Sequence, residues 1–202
     1  MVSAQQALSR LRDGNRRFAA ESQDVGRVTT RPAETAESQQ PFAIILGCSD
    51  SRVPAEIIFD QGLGDLFVIR VAGNIVAPSQ IGSIEFAATK FGTRLVVVLG
   101  HSQCGAVLAA VEQVQTPSDC RSRNLSSIIE FIRPSVEQCL GAAGSVAHDE
   151  LVERAVRANI GASVKHLLHG SEILEELGEK EGLRIVGAEY SLRTGLVEFF
   201  DA

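Results

Sequence analysis

The sequence predicts an α/β fold with a mostly parallel central sheet, flanked by helices and ending in an antiparallel edge strand at the C-terminus. Two unbroken apolar runs, at 42–46 and 95–99, contain β-branched residues and have the length of strands buried on both faces. Segments with helical periodicity separate the strand-like runs, and this alternation is typical of right-handed crossovers between parallel strands. The final run, 184–200, contains Gly195 at a turn and indicates a last parallel strand followed by an antiparallel partner.

Composition limits the classes of function. A chain of 202 residues with 45% hydrophobic content can fill one core. The 19 Lys and Arg residues against 25 Asp and Glu give a net charge of −6 without a basic cluster, so nucleic acid and anionic lipid are not expected partners. No apolar run is long enough for a membrane span or a signal core, and we expect a cytoplasmic protein.

The N-terminal region is predicted to form a helix and an arm. Apolar residues at Leu8, Leu11 and Phe18 lie on one stripe of a helix over 4–20. A polar stretch rich in Ser, Thr, Gln, Glu and Pro follows at 21–40 and predicts an extended arm. We therefore divide the chain into 1–41, the helix and arm, and 42–202, a single α/β catalytic domain. The arm would allow the helix to extend onto a partner subunit.

The rest of the chain alternates between strands and helices. Pro54 is suited to the first turn of a short helix, and the Gly-Leu-Gly at 62–64 is a turn and not a nucleotide-binding loop, since no third glycine or helix follows. Cys104 is placed to open a helix, where backbone N–H groups favour a thiolate. The other predicted elements are a strand over 66–73, a helix over 80–90, a helix over 122–140 broken at Pro134, and helices over 148–168 and 171–179.

Both predicted central strands end in reactive side chains. Cys48, Asp50 and Arg52 follow the first strand, and His101 and Cys104 follow the strand at 95–99. The carboxyl ends of strands are where open α/β sheets place their chemistry. Two thiolates and one imidazole form a zinc site with an open fourth position when they converge, as neighbouring strand ends about 4.8 Å apart allow. A buried thiol beside two unrelated loop residues is the alternative.

The four cysteines do not indicate a disulfide framework. In a reducing compartment thiols serve metals, catalysis or plain burial, and we expect Cys120 and Cys139 to be free thiols. A disulfide between Cys48 and Cys104 is the less favoured alternative to the metal site. His166 and His169 are three residues apart on a predicted helix, but without a third ligand nearby in sequence they predict a solvated or packed pair.

Two motifs together carry a family resemblance. The sequences CSDSR at 48–52 and HSQCG at 101–105 resemble those of the β-class carbonic anhydrases, which are lyases. The resemblance implies zinc held by Cys48, His101 and Cys104, and reversible hydration of CO2 to bicarbonate and a proton by zinc-bound hydroxide. It also implies a homodimer or a tetramer built of dimers, with the N-terminal helix reaching across. Further matches are DQGLGDLFVIR at 60–70, GSIEF at 82–86 and GAEYSLRTG at 187–195.

The resemblance also assigns roles around the metal. Asp50 would accept the hydrogen bond of the nucleophile, and Arg52 would keep Asp50 ionised and fixed through a bidentate pair. Candidates for the substrate site are a small apolar pocket for CO2 and an amide donor for a bicarbonate oxygen. They are Phe67, Ala72 and Phe86 for the pocket and Gln39 for the donor. Relatives often have Tyr at the position of Phe86, so a hydroxyl role is absent there.

The resemblance also raises the question of whether Asp50 can bind the metal. In some relatives the aspartate occupies the fourth zinc position at lower pH, helped by bicarbonate in a pocket of Trp, Arg and Tyr. This chain has Arg70 and Tyr190 but Ile45 in place of that Trp, so we expect Asp50 to stay paired with Arg52 near neutral pH.

Two alternative functions stay open. A hydrolase of CS2 or COS could use the same zinc site. A non-catalytic zinc-thiolate site is the other alternative, and it would need a fourth protein ligand.

Overall fold

A single five-stranded sheet organises the chain. The structure is a computed structural model that describes residues 2–21, 36–116, 122–142 and 147–200. The strands are β1 (Ala43–Gly47), β2 (Leu66–Arg70), β3 (Leu95–His101), β4 (Arg184–Tyr190) and β5 (Val197–Phe200). Their order is β2-β1-β3-β4-β5, with every neighbouring pair parallel except β4 and β5. The predicted fold class, including the antiparallel C-terminal edge, is confirmed.

Helices cover both faces of the sheet. They are α1 (Ala4–Ala19), α2 (Ala55–Ile58), α3 (Pro78–Lys90), α4 (Gly105–Gln115), α5 (Arg123–Ala142), α6 (His148–His169) and α7 (Glu172–Glu181). Ala43 and Ile45 of β1 pack with α1 and α2, whereas Ile44 and Leu46 pack on the other face with the remaining helices. The unbroken apolar runs follow from this arrangement, because a strand covered on both faces has no solvent side.

The strand register brings the predicted reactive residues to one edge of the sheet. Gly47, the last residue of β1, lies opposite Arg70 of β2 and Leu99 of β3. Cys48 therefore leaves β1 beside the carboxyl end of β3, where His101 is the last strand residue. All three strands are parallel, so their carboxyl ends form one rim.

Helix α1 lies against the sheet of its own chain. Ser3 and Gln6 form a capping box at its N-terminus, and Leu8 and Leu11 are buried in the same cluster as Ile45. Most of the predicted arm falls on residues 22–35, which lie outside the described residues. Extension onto a partner subunit and the division of the chain at residues 41 and 42 stay predictions.

Two sequence predictions were wrong in detail. The helix over 122–140 is continuous through Pro134, because Ile132 and Val136 on its inner face are fully buried and this packing compensates for the missing backbone donor. The second strand ends at Arg70 and not at residue 73, since Gly73 adopts φ 70° in a 3-10 turn, Ala72–Asn74. The helix predicted over 148–168 is present as α6, His148–His169.

Some large apolar side chains remain at the surface of the chain. The most exposed include Ile57, Leu63 and Phe86, each about half exposed. Strand β2 is also an edge strand, so its outer backbone groups pair with no other described strand.

Among the described helices, none combines the length and the apolar character that a membrane span requires.

Candidate metal centre

Two thiols and one imidazole converge at the rim of the sheet. Cys48 follows β1, His101 ends β3, and Cys104 is the N-cap residue of α4. Their ligand atoms all lie within 4.8 Å of one another, and all three residues are buried. The predicted convergence is confirmed, and these residues form a group that could hold a metal ion.

A strained turn allows His101 and Cys104 to face the same point. Between them Gln103 adopts φ 55°, a left-handed conformation that is uncommon for a residue with a side chain. The turn is tied to β4, because the Ser102 N–H donates to the Tyr190 carbonyl at 2.9 Å. The Ser102 hydroxyl in turn accepts from the Leu192 N–H at 3.0 Å. The end of β4 therefore fixes the loop that carries two of the three ligand groups.

The His101 ring is oriented as a metal ligand. Its Nδ1 lies 2.9 Å from the carbonyl oxygen of Ser102. A carbonyl only accepts, so Nδ1 carries the proton and Nε2 has a free lone pair. Nε2 is buried and has no hydrogen-bond partner among the described residues. A buried imidazole nitrogen left in this state is costly unless a metal or another partner completes it.

The two thiols cannot both ionise easily without a cation. Their sulfur atoms are 3.9 Å apart. The hydrogen bond from the Cys104 thiol is the main cause that lowers the pKa of Cys48, helped by backbone N–H groups and opposed by burial. The same bond, and then burial, raise the pKa of Cys104. The pair therefore holds one thiolate readily, and a cation between the sulfurs would stabilise the second.

Asp50 and Arg52 form the predicted pair beside this group. Arg52 donates from Nε to Oδ1 at 2.9 Å and from Nη2 to Oδ2 at 2.8 Å, and its backbone N–H also reaches Oδ1 at 2.9 Å. The hydrogen bonds from Arg52 hold the pKa of Asp50 well below its usual range. Asp50 Oδ2 lies 4.0 Å from His101 Nε2, so the carboxylate faces the candidate metal position.

Arg70 braces the loop that follows β1. Its Nε donates to the carbonyl of Cys48 at 3.0 Å and its Nη2 to the carbonyl of Asp50 at 2.6 Å. Ile45 is fully buried and Tyr190 nearly so. In this arrangement the Arg70 guanidinium is occupied by backbone carbonyls, and Asp50 keeps its three hydrogen bonds from Arg52.

The four predicted substrate residues are not brought together within one chain. Ala72 opens the 3-10 turn next to the candidate metal centre. Phe67 and Phe86 have ring centroids 6.2 Å apart and both contact the Phe91 ring, along the β2 side of the sheet. Gln39 precedes β1 at the opposite rim, and the five residues of β1 alone span about 16 Å.

Sequence reasoning missed the groups that support the ligands. They are the Gly73 N–H, which donates to Cys48 Sγ at 3.4 Å, and the Arg70 guanidinium, which donates to the carbonyls of Cys48 and Asp50. The only signal in the sequence is the Ala-Gly-Asn at 72–74, where a glycine after a strand indicates a turn but not its target.

A family model and the sequences of known proteins both match most of this chain. A family model described as carbonic anhydrase matches residues 43–197. The chain is 39% identical over 187 residues to "Carbonic anhydrase 2" of Mycobacterium tuberculosis, a match that covers 92% of this chain and 87% of that relative. It is 38% identical over 193 residues to a carbonic anhydrase of Mycolicibacterium smegmatis, covering 93% and 89% of the two chains.

Solved structures share the fold. A β-carbonic anhydrase of Aspergillus fumigatus aligns with a TM-score of 0.77 at 28% identity, over 98% of this chain and 90% of that one. One of two tetrameric β-carbonic anhydrases of Sordaria macrospora aligns with a TM-score of 0.72 at 25% identity, over 84% and 85%. The similarity therefore extends over nearly the whole described chain.

Proposed function

The chain belongs to the β-class carbonic anhydrases, a family of enzymes, and on that premise we propose that it catalyses the zinc-dependent, reversible hydration of CO2 to bicarbonate and a proton. The observation that carries this proposal is the buried Cys48, His101 and Cys104 group with an ionised carboxylate directed at it. The donor set is one of those that hold catalytic zinc through three protein ligands and leave a fourth position open.

The geometry of the donor atoms fits zinc. Two thiolates bound tetrahedrally at about 2.3 Å from zinc would lie about 3.8 Å apart. The sulfur atoms of Cys48 and Cys104 are 3.9 Å apart, and Nε2 of His101 is left without a hydrogen-bond partner among the described residues. When bound, zinc would lower the pKa of a water molecule and so supply the nucleophile for CO2 at near-neutral pH.

The side chains around the metal position then have separate tasks. Asp50, ionised and held by Arg52, accepts the hydrogen bond of the reacting water and orients its lone pair toward the carbon of CO2. It does not serve as a fourth ligand while Arg52 holds both of its oxygens. The metal-ligand group contains three donor residues among those described, whereas a non-catalytic zinc-thiolate site would need a fourth protein ligand.

The same zinc site could act on CS2 or COS, and one pair of assays separates these functions. We expect the purified protein to hydrate CO2 rapidly in a stopped-flow indicator assay. On the same sample, hydrolysis of CS2 measured by sulfide release should be negligible. Sulfide release with no CO2 hydration would replace the proposed function by the hydrolase.

The hydration rate should rise with pH. Arg52 holds the pKa of Asp50 below its usual range, so Asp50 stays ionised from about pH 5 upward and does not set the profile. Two thiolates offset the charge of the metal. The water that zinc would activate should therefore have a pKa above the value of about 7 known for three-histidine sites. Stopped-flow rates from pH 6 to 9 should increase toward the alkaline side; a profile that falls over this range would contradict the assignment.

We also propose that the enzyme is a homodimer, or a tetramer built of dimers, in the cytoplasm. Ala72 is the predicted substrate residue that can line the site of its own chain. Gln39 precedes β1 at the opposite rim and Phe67 and Phe86 lie along the β2 side, so we propose that these three residues line the metal centre of a second copy. The half-exposed Phe86 beside the edge strand β2 supports such a contact, and the free thiols Cys48 and Cys104 suit a reducing compartment.

Substitution of Phe86 tests this contact. Phe86→Arg should lower the sedimentation coefficient to that of a single chain and reduce CO2 hydration, because a charge cannot be buried in an apolar interface without a partner. Phe86 is half exposed in the single chain, so the fold should be retained. Leu125→Arg, a change at a similarly exposed position on α5, is the control. An unchanged sedimentation coefficient at low micromolar concentration for Phe86→Arg would refute the contact.

A further inference from the structure

One backbone N–H supports the sulfur of Cys48. After β2 the chain enters the 3-10 turn Ala72–Asn74, and the Gly73 N–H points at Cys48 Sγ from 3.4 Å. A hydrogen bond to a thiolate stabilises it and fixes its direction. The position of this N–H depends on the shape of the turn, so whatever holds the turn also holds the sulfur.

The turn has an unusual backbone. Gly73 has φ 70° and the following Asn74 has φ 44°, so two consecutive residues lie in the left-handed region. Glycine adopts this conformation freely, but for Asn74 it is sparsely populated and persists when surrounding contacts impose it. The turn therefore requires support from outside itself.

Helix α6 supplies that support through two buried polar side chains. Asn159 Nδ2 donates to the carbonyl of Gly73 at 2.8 Å, and Ser163 Oγ donates to the carbonyl of Asn74 at 3.1 Å. The two residues are four positions apart, on one face of the helix, and are only 2% and 5% exposed. Buried polar groups are costly unless they are bonded, and these two are bonded to the turn.

The other side of the turn is closed by packing. A β-carbon added at Gly73 would lie 2.7 Å from Ile132 Cδ1 and 3.1 Å from the β-carbon of Ala106. The turn is thus confined between α5 and α4 on one side and two hydrogen bonds from α6 on the other. No room is left for it to rotate while those bonds are in place.

We propose that Asn159 and Ser163 are positioning residues of the metal centre. By holding the carbonyls of Gly73 and Asn74, they keep the Gly73 N–H directed at Cys48 Sγ and so set the affinity of the site for zinc. This inference rests on the proposed zinc site. Partners behind the ligands commonly contribute about 10- to 100-fold in metal affinity.

The test measures zinc affinity and not activity. Asn159→Leu has a similar volume and lacks the donor, so its dissociation constant for zinc, measured by chelator competition, should rise about 10-fold or more. Ser163→Ala should raise it by a smaller factor of about three, the size expected for one neutral hydrogen bond. Ser163→Thr, which keeps a hydroxyl, should restore the wild-type value. The thiolate-to-cobalt absorption band of Co(II)-loaded Asn159→Leu should also shift or weaken.

Asn15→Leu is the matched control. Asn15 is also buried and donates its amide to a backbone carbonyl, that of Gly195 at 2.8 Å, but it lies on α1. The Asn15→Leu protein should lose thermal stability and keep wild-type zinc affinity. The proposal is overturned if folded Asn159→Leu binds zinc as tightly as wild type, or if Asn15→Leu loses as much affinity.

Two further outcomes are also decisive. If Asn159→Leu does not fold, unequal zinc affinities of Ser163→Ala and Ser163→Thr support the proposal and equal affinities overturn it. A wild-type protein that binds zinc but hydrates no CO2 would end the proposed function and leave this inference to stand on the affinities alone.

Discussion

Cys104→Ser should lose most of its bound zinc and almost all CO2 hydration. A site with three protein ligands cannot lose one and keep its affinity, and a serine hydroxyl is a far weaker zinc ligand than a thiolate. The lone sulfur of Cys48 would remain, but the 3.9 Å sulfur pair that fits zinc would be gone. Zinc per chain, measured by mass spectrometry after dialysis, should fall from about one to a small fraction. Cys48→Ser and His101→Ala should behave alike.

The matched control is Cys139→Ser. Cys139 is a free thiol on α5 that is partly exposed and belongs to no metal-ligand group in the described part of the chain. Its replacement should leave zinc content and hydration unchanged. A Cys104→Ser protein that keeps full zinc would remove Cys104 from the site.

Arg52→Ala should keep its zinc and lose about 100-fold in CO2 hydration, since a catalytic group displaced by about 1 Å costs a factor of this size. The three hydrogen bonds to Asp50 would be reduced to the one from the backbone N–H. Without the guanidinium, the pKa of Asp50 returns toward its usual range. Asp50 would remain ionised at pH 7.5, so the loss there comes from its orientation, and protonation adds to it below about pH 5.

Arg133→Ala is the control for this substitution. Arg133 makes a comparable two-pronged contact with Glu130, at 2.7 and 3.1 Å, on the surface of α5. Removing it should change neither zinc content nor rate. The hydration rate of Arg52→Lys should fall between those of wild type and Arg52→Ala, because lysine keeps the positive charge but cannot donate two parallel hydrogen bonds to the carboxylate. A wild-type rate in zinc-loaded Arg52→Ala would exclude the pair from the mechanism.

The sequence predicted the ligand group because each ligand is tied to a strong local signal. Cys48 and His101 follow the two most apolar runs of the chain, and parallel strands necessarily end at one rim. The Asp50 and Arg52 pair could be predicted from their spacing and from the family motif. None of these inferences required knowledge of long-range contacts.

The remaining features depend on contacts between segments far apart in sequence. The sequence places Gly73 at the end of a strand, because nothing nearby indicates that Asn159 on α6, 86 residues later, donates to its carbonyl. The break predicted at Pro134 ignored the buried residues on either side of it. Ala72 lies where a substrate residue is expected, whereas Gln39, Phe67 and Phe86 do not lie at the site of their own chain.

Zinc content and CO2 hydration measured on one sample of the unmodified protein test the central claim most directly. We expect about one zinc per chain, with hydration abolished by a chelator and restored in proportion to added zinc. A zinc-loaded protein without hydration, or a zinc-free protein with full hydration, would contradict the assignment of the buried Cys48, His101 and Cys104 group as a catalytic metal centre.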